Sequence, residues 1–209
     1  MALDLFQKGG LLIWPILFCS IAGTTIYFER LALYRRVLKN YQHNDAVYRM
    51  ILNHDTAAAR DWLNRHLNPY AADKRILFEA LAADKPDRET LEMILMHGVE
   101  REMAGFSKKL GSLAVLGGIC PLLGLLGTVI GMIKAFMVVE SMGGSVNAAV
   151  LAGGIWEAMI TTAFGLLAAI PLLFFHNHLT GKYQAIQQNL EEVAITFMKV
   201  WARSRNSSA

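Results

Sequence analysis

The stretch "GGIWEAMITTAFGLLAAIPLLFF", residues 153–175, is almost wholly apolar, and it decides the fold. About 20 apolar residues suffice to cross ~30 Å of hydrocarbon as a helix. Its one charged residue, Glu157, stands near one end. Charge is also absent from residues 9–28 and from residues 110–133. The expected fold is therefore an all-α polytopic membrane protein with three transmembrane helices, at 9–28, 110–139 and 153–175. Residues 1–8 form an outer N-terminus, 29–109 a cytoplasmic helical region, 140–152 an outer loop, and 176–209 a cytoplasmic C-terminal helix and tail.

The first span has the look of a signal peptide, since Lys8 precedes an apolar run that reaches Ala22 and Gly23. Its full span length and the dense patch of Glu29, Arg30, Arg35, Arg36 and Lys39 beyond it point instead to a retained span. Residues 29–109 carry 14 of the 20 basic residues and the segment after Phe175 carries four. Only Lys8 and Lys134 remain for the other side. Lys and Arg collect on the cytoplasmic side, so the N-terminus is outside and the C-terminus inside. The net charge of +3 over 209 residues thus reflects topology, and no nucleic-acid partner is implied. Cys19 and Cys120 both fall within spans, where reduced packing thiols are expected.

In the cytoplasmic region the first helix is expected to run on through "ERLALYRRVLKNYQ". Asp55 is a plausible N-cap for "TAAARDWLNRHL", Pro69 stops that helix, "AADKRILFEALAA" forms another, and "DKPD" (residues 84–87) breaks it. No strand pattern occurs. From Leu91 to Leu113 apolar positions recur at helical spacing and lead into the second span. One continuous helix from about Asp87 to Val139 is expected, ~80 Å long at ~1.5 Å per residue. In the tail, Tyr183, Ile186, Leu190, Val193, Phe197 and Val200 make a heptad-like seam that packs along the chain's own 88–109 helix, along another subunit, or both.

Membrane helices associate through small residues and interhelical hydrogen bonds. The second span aligns Gly124, Gly127, Thr128 and Gly131, with Gly127 and Gly131 in GxxxG spacing, and Pro121 removes a backbone donor and should loosen the helix one turn earlier. The third span aligns Gly154, Ala158, Thr162, Gly165 and Ala169, with Thr161 one turn beyond Glu157. An acidic residue in a span costs roughly 2.5–3.5 kcal/mol near the bilayer centre and less near an end. Glu157 is therefore either a hydrated carboxylate at the outer interface or a group facing an ion path or a partner's cation. Lys134 is expected to snorkel at the outer end of its span, and His176 and His178 to be solvated at the inner interface. The chain has no GxGxxG, no GxxxxGK[ST], no CxxC and no HExxH, so an enzyme is not expected, nor a cofactor or metal.

"PLLGLLGTVIGMIKAF" (residues 121–136) followed by "GGIWEAMITTAFGLLAAIPLL" (residues 153–173) resembles the ExbB/TolQ/MotA stator family, closest to ExbB and TolQ. The resemblance implies a bacterial inner-membrane homopentamer with a periplasmic N-terminus, whose second and third spans surround a pore. That pore would hold two copies of a single-span ExbD/TolR-like partner with a transmembrane aspartate. Proton-motive force would then drive work on a TonB-like or TolA-like transducer, with protons as the transported ion. It further implies that Thr128, Thr162 and Glu157 line the proton pathway; helix geometry places Thr161 on the side of Glu157, where it is expected to share the role of Thr162. Pro121, Gly124, Gly127, Gly131, Ala158 and Gly165 would serve helix packing and partner contact. Trp156, Thr161 and Lys134 depart from the close relatives' pattern of a small residue, an alanine and a neutral residue or histidine. The alternatives are a nonconducting membrane scaffold and a self-contained ion channel.

Overall fold

The computed structural model describes residues 11–41, 44–83, 86–141 and 148–206. Among them the regular structure is helical throughout, with no strand. The helices are α1 (Ile13–Asn40), α2 (Asp45–Leu52), α3 (Thr56–Arg65), α4 (Ala72–Ala82), α5 (Arg88–Ser107), α6 (Leu110–Ser141) and α7 (Ala148–Asn206). Three stretches are long and apolar enough to cross a membrane: Ile13–Lys39, Arg88–Ser141 and Leu151–Arg205. The segment 1–8 and the adjacent Gly143 and Gly144 of the connection between the second and third spans lie outside the described residues.

The chain divides into two compact units. One comprises Met1–Glu29 and Lys109–Leu179, the other Arg30–Lys108 and Thr180–Ala209.

In the second unit, Asp55 caps α3 by accepting a hydrogen bond from the Ala58 amide at 2.9 Å, and Asp87 caps α5 by accepting from the Thr90 amide at 2.9 Å. Such caps satisfy amides that have no partner inside the helix. The seam residues Ile186, Leu190, Val193 and Phe197 are buried, against elements of the same chain. The Tyr41 hydroxyl donates to Asn189 O at 3.2 Å, and the Ser204 hydroxyl donates to Ile51 O at 2.9 Å. Leu95 and Met96 of α5 line one groove together with Ala194, Ile195 and Met198 of α7. A buried polar group sits beneath α4, where the Asn44 side-chain amide donates to the Asp73 carboxylate at 3.1 Å. Burial raises the nearby Tyr48 hydroxyl above its usual range.

Arg75 of α4 holds Glu102 of α5 through two hydrogen bonds, Nε to Oε1 at 2.8 Å and a second to Oε2. The hydrogen bond to Glu102 raises Arg75 above its usual range. The Glu102 side chain is only 12% exposed. Replacing Arg75 by methionine should leave that carboxylate without its partner and cost about 2 kcal/mol, below the 3–5 typical of fully buried pairs. A fall in Tm of the purified protein in detergent would register it, and an unchanged Tm would show the pair to be energetically idle.

The continuous helix expected from Asp87 to Val139 is interrupted. Lys108 has extended backbone (φ −51°, ψ 138°), and Lys109 is left-handed at φ 66°. Lys109 O then accepts from the Leu113 amide at 3.1 Å, which starts α6. The Lys109 ammonium grips both oxygens of Glu29 at 2.6 and 2.8 Å, holding the unusual backbone in place. Lys109→Gly and Lys109→Ala both remove the ion pair, but only alanine keeps the steric cost of a left-handed residue. The glycine variant should be more stable than the alanine variant by about 1 kcal/mol. Equal Tm values in thermal unfolding would rule out backbone strain at this junction.

Candidate functional site

In the first unit, α6 and α7 meet along a seam of small residues. A Cβ added at Gly131 would lie 2.8 Å from the Ala158 Cβ, and one added at Gly154 would lie 2.6 Å from the Ala135 Cβ. At Gly127 it would run into the Thr161 hydroxyl oxygen. At Gly124 it would lie 3.0 Å from the Thr162 Cα, and at Gly165 it would lie 2.7 Å from Cys120 O and 2.9 Å from the Gly124 Cα. Position numbers rise along one helix as they fall along the other, so the pair is antiparallel. Backbones this close are possible only where one partner lacks a side chain. Gly124, Gly127, Gly131, Ala158 and Gly165, expected to serve helix packing and partner contact, are all spent on this intrachain seam. Leu173, with Leu172 beside it, closes the seam's far end against Gly117, and Leu172 Cδ2 stands where a Cβ at Gly23 would lie, which seats α1 on α7.

Pro121 is half-buried within α6, and the helix runs unbroken through it. Cys19 and Cys120 are both buried free thiols. His178, expected to be solvated at the inner interface, is half-buried: its Nδ1 lies 2.9 Å from the hydroxyl of the buried Tyr27, whose ring stacks on Phe175 at 4.0 Å. His178 thus helps to fix α1 on α7. Among the described residues no group of three His, Cys, Asp or Glu side chains could hold a metal ion.

The three threonines have different fates. The Thr162 hydroxyl crosses the seam and donates to Gly124 O at 2.9 Å, while the residue stays half-buried. The Thr128 hydroxyl donates to Leu125 O of its own helix at 2.6 Å and is likewise half-buried. Thr161 differs from the expectation that it lines the pathway. It is 3% exposed, wedged against Gly127, with its hydroxyl donating to Ala158 O at 2.7 Å. Adjacent helical residues point about 100° apart, so when Thr161 fills the seam Thr162 sits at its edge.

Glu157 is half-buried, and Lys134 of α6 reaches it, with Nζ 3.5 Å from Oε1. Lys134, expected to snorkel, remains largely exposed. The antiparallel register also brings it to the carboxylate, since Gly131 opposes Ala158 and Ala135 opposes Gly154. A signal for this was present: pairing the small residues of the two spans antiparallel sets positions 134 and 157 nearly opposite. Away from the seam the pair is strongly apolar, with Leu122, Leu125, Val129, Ile133 and Phe136 exposed on α6 and Trp156, Met159, Leu167 and Ile170 exposed on α7. The half-buried oxygens of Thr128, Thr162 and Glu157, together with Lys134, are thus polar points on hydrocarbon-like surfaces.

Comparison with known proteins bears on this arrangement. Residues 38–192 match the model of the MotA/TolQ/ExbB proton channel family. An ExbB-like biopolymer transport protein of Synechocystis sp. is 34% identical over 95% of this chain and 80% of its own length. The biopolymer transport protein exbB1 of Vibrio cholerae is 33% identical over 80% of this chain and 74% of its own length. The Tol-Pal system protein TolQ of Haemophilus influenzae is 38% identical over a shorter region, 44% of this chain and 40% of that protein.

Proposed function

The chain belongs to the MotA/TolQ/ExbB proton channel family, and from that premise we propose that it is the channel-forming subunit of a proton-driven motor in a bacterial inner membrane. In this reading it forms a homopentamer with its N-terminus in the periplasm and its C-terminus in the cytoplasm. The exposed apolar faces of α6 and α7 meet neighbouring subunits, and the pore holds a single-span partner that brings a transmembrane aspartate. The assembly passes the energy of proton flow to a TonB-like or TolA-like transducer working on the outer membrane.

One observation carries the proposal. Spans 110–139 and 153–175 hold hydroxyls and a carboxylate at the edge of their seam but no aspartate, and the half-buried Thr162 hydroxyl, committed to Gly124 O, keeps lone pairs free to receive a proton-bearing group from elsewhere. One carboxylate and a few hydroxyls do not make a carrier that alternates between two exposures, so a proton path built this way calls for a further titratable group from another chain. Moving one charge through ~100 mV is worth ~2.3 kcal/mol. A few protons per event are then enough to disrupt a noncovalent contact in a distant partner.

Native mass spectrometry of the assembly extracted in mild detergent tests the proposal. Five copies of this chain with two of a single-span protein bearing a transmembrane aspartate are expected. A stable assembly that lacks any such partner, once extraction is shown not to strip it, would overturn the motor reading. It would favour a self-contained channel if the chain alone conducts, and a scaffold if it does not.

A further inference from the structure

Lys134 and Glu157 come from different helices, and each is expensive in a span. A charged residue is costly near a bilayer centre and less so toward its edges. The structure brings these two within 3.5 Å, with the Lys134 side chain 59% exposed and that of Glu157 35% exposed. The contact follows from the seam. Lys134 stands between Gly131 and Ala135, whose opposing residues are Ala158 and Gly154, and Glu157 adjoins Ala158. The backbone register is set by contacts too close to slide, and the two charged side chains meet across it.

We propose that Lys134 and Glu157 act as one unit, a clamp across the α6/α7 seam in which Lys134 is the positioning residue for Glu157. Lys134 draws the carboxylate across the seam, ties the two helices together between the Gly131–Ala158 and Ala135–Gly154 contacts, and leaves the site with no net charge. What Glu157 contributes to proton flow is then conditional on Lys134. Removing either charge exposes the other without compensation, and removing or exchanging both does not. This deepens the role proposed above for Glu157, and its flux arm rests on that reading.

The test is a double-mutant cycle on the complete, partner-containing assembly, with Lys134→Met, Glu157→Gln, the neutral double variant, and the exchange of Lys134→Glu with Glu157→Lys. Lys134→Arg serves as the conservative control. Thermal unfolding in detergent is the first readout, and proton flux into liposomes under an imposed gradient is the second. Each single variant should shift the unfolding equilibrium, with a coupling of about tenfold between the sites, within the range usual for contacting residues. Each should also lower flux about tenfold, while the exchange and Lys134→Arg return flux to within about threefold of the parent.

Additive single effects, or an exchange no better than the singles, would overturn the clamp. Arginine that fails to substitute for lysine would do the same. The unfolding cycle needs no flux. A parent assembly that carries no protons would therefore defeat the proposed function while leaving the clamp to be decided by its coupling energy. A conducting parent with no coupling would defeat the clamp alone.

Discussion

Replacing Gly165 by leucine is expected to abolish the folded assembly. A Cβ at this position lies 2.7 Å from Cys120 O and 2.9 Å from the Gly124 Cα, and both obstacles are backbone atoms of the facing helix. No rotamer change relieves such a contact, so α6 and α7 have to separate along a seam whose other members, Gly124 against Thr162 and Gly131 against Ala158, depend on the same spacing. Strain from an oversized side chain typically costs 1–3 kcal/mol where side chains can adjust. Here a backbone is displaced and neighbouring contacts go with it, so a loss above about 4 kcal/mol is expected. Gly118→Ala is the matched control, because nothing lies within 4 Å of its added Cβ. It should leave the protein as stable as the parent or up to about 1 kcal/mol more so, since alanine is the better helix former. The yield of monodisperse protein and its Tm after detergent extraction distinguish the two. A Gly165→Leu protein that extracts and melts like Gly118→Ala would mean that the seam is not the contact that holds the spans together.

Why these glycines matter was partly legible in the sequence and partly not. Their alignment on one face follows from helical period alone, and so does the alignment of Gly154, Ala158 and Gly165 on the next span. What faces them does not follow, because a small-residue face serves a neighbouring span or a neighbouring subunit equally well. The break at Lys108 and Lys109 left no mark in the pattern. Phe106, Leu110 and Leu113 continue the same steps of four and three across it, and no glycine or proline announces the left-handed residue. The Glu29 partner that holds it is 80 residues away. The eight residues of α2 are too few for a clear helical period, and although Asn44 is a good capping residue type, its side chain makes no cap hydrogen bond and is turned to Asp73 instead. By contrast, the Asp55 cap of α3 was plain, since a capping carboxylate depends only on its nearest neighbours. Local chemistry was readable; register between segments was not. Lys134 illustrates the second case: an isolated lysine at a span end snorkels, and only the opposing helix turns it into a partner for Glu157.

The choice between Thr161 and Thr162 is of the same kind, and it leads to the second large effect. Both hydroxyls donate to backbone carbonyls, Thr161 to Ala158 O within its own helix and Thr162 to Gly124 O across the seam. A hydroxyl whose proton is committed offers only its lone pairs. Thr162, half-buried at the seam's edge, can therefore accept from a group that carries a proton, namely a protonated carboxylic acid or water, and offers nothing favourable to a bare carboxylate. Thr128 is in the same condition, its proton given to Leu125 O. In the proposed motor this pair favours the partner's aspartate in its protonated form at the moment it passes.

Thr162→Val keeps the shape and removes the acceptor. A proton-bearing partner left without it in a water-poor site loses about 1–3 kcal/mol, and each 1.36 kcal/mol is tenfold in rate. Proton flux through the reconstituted assembly should therefore fall about tenfold or more, with the oligomer intact by native mass spectrometry. Thr162→Ser, which restores the oxygen, should hold flux within about threefold of the parent. Thr161→Val should leave flux near the parental level, because its oxygen is buried against Gly127, out of a partner's reach. If the two valine variants lose flux equally, the edge of the seam is not the proton path, and the oxygen that matters lies elsewhere on these spans.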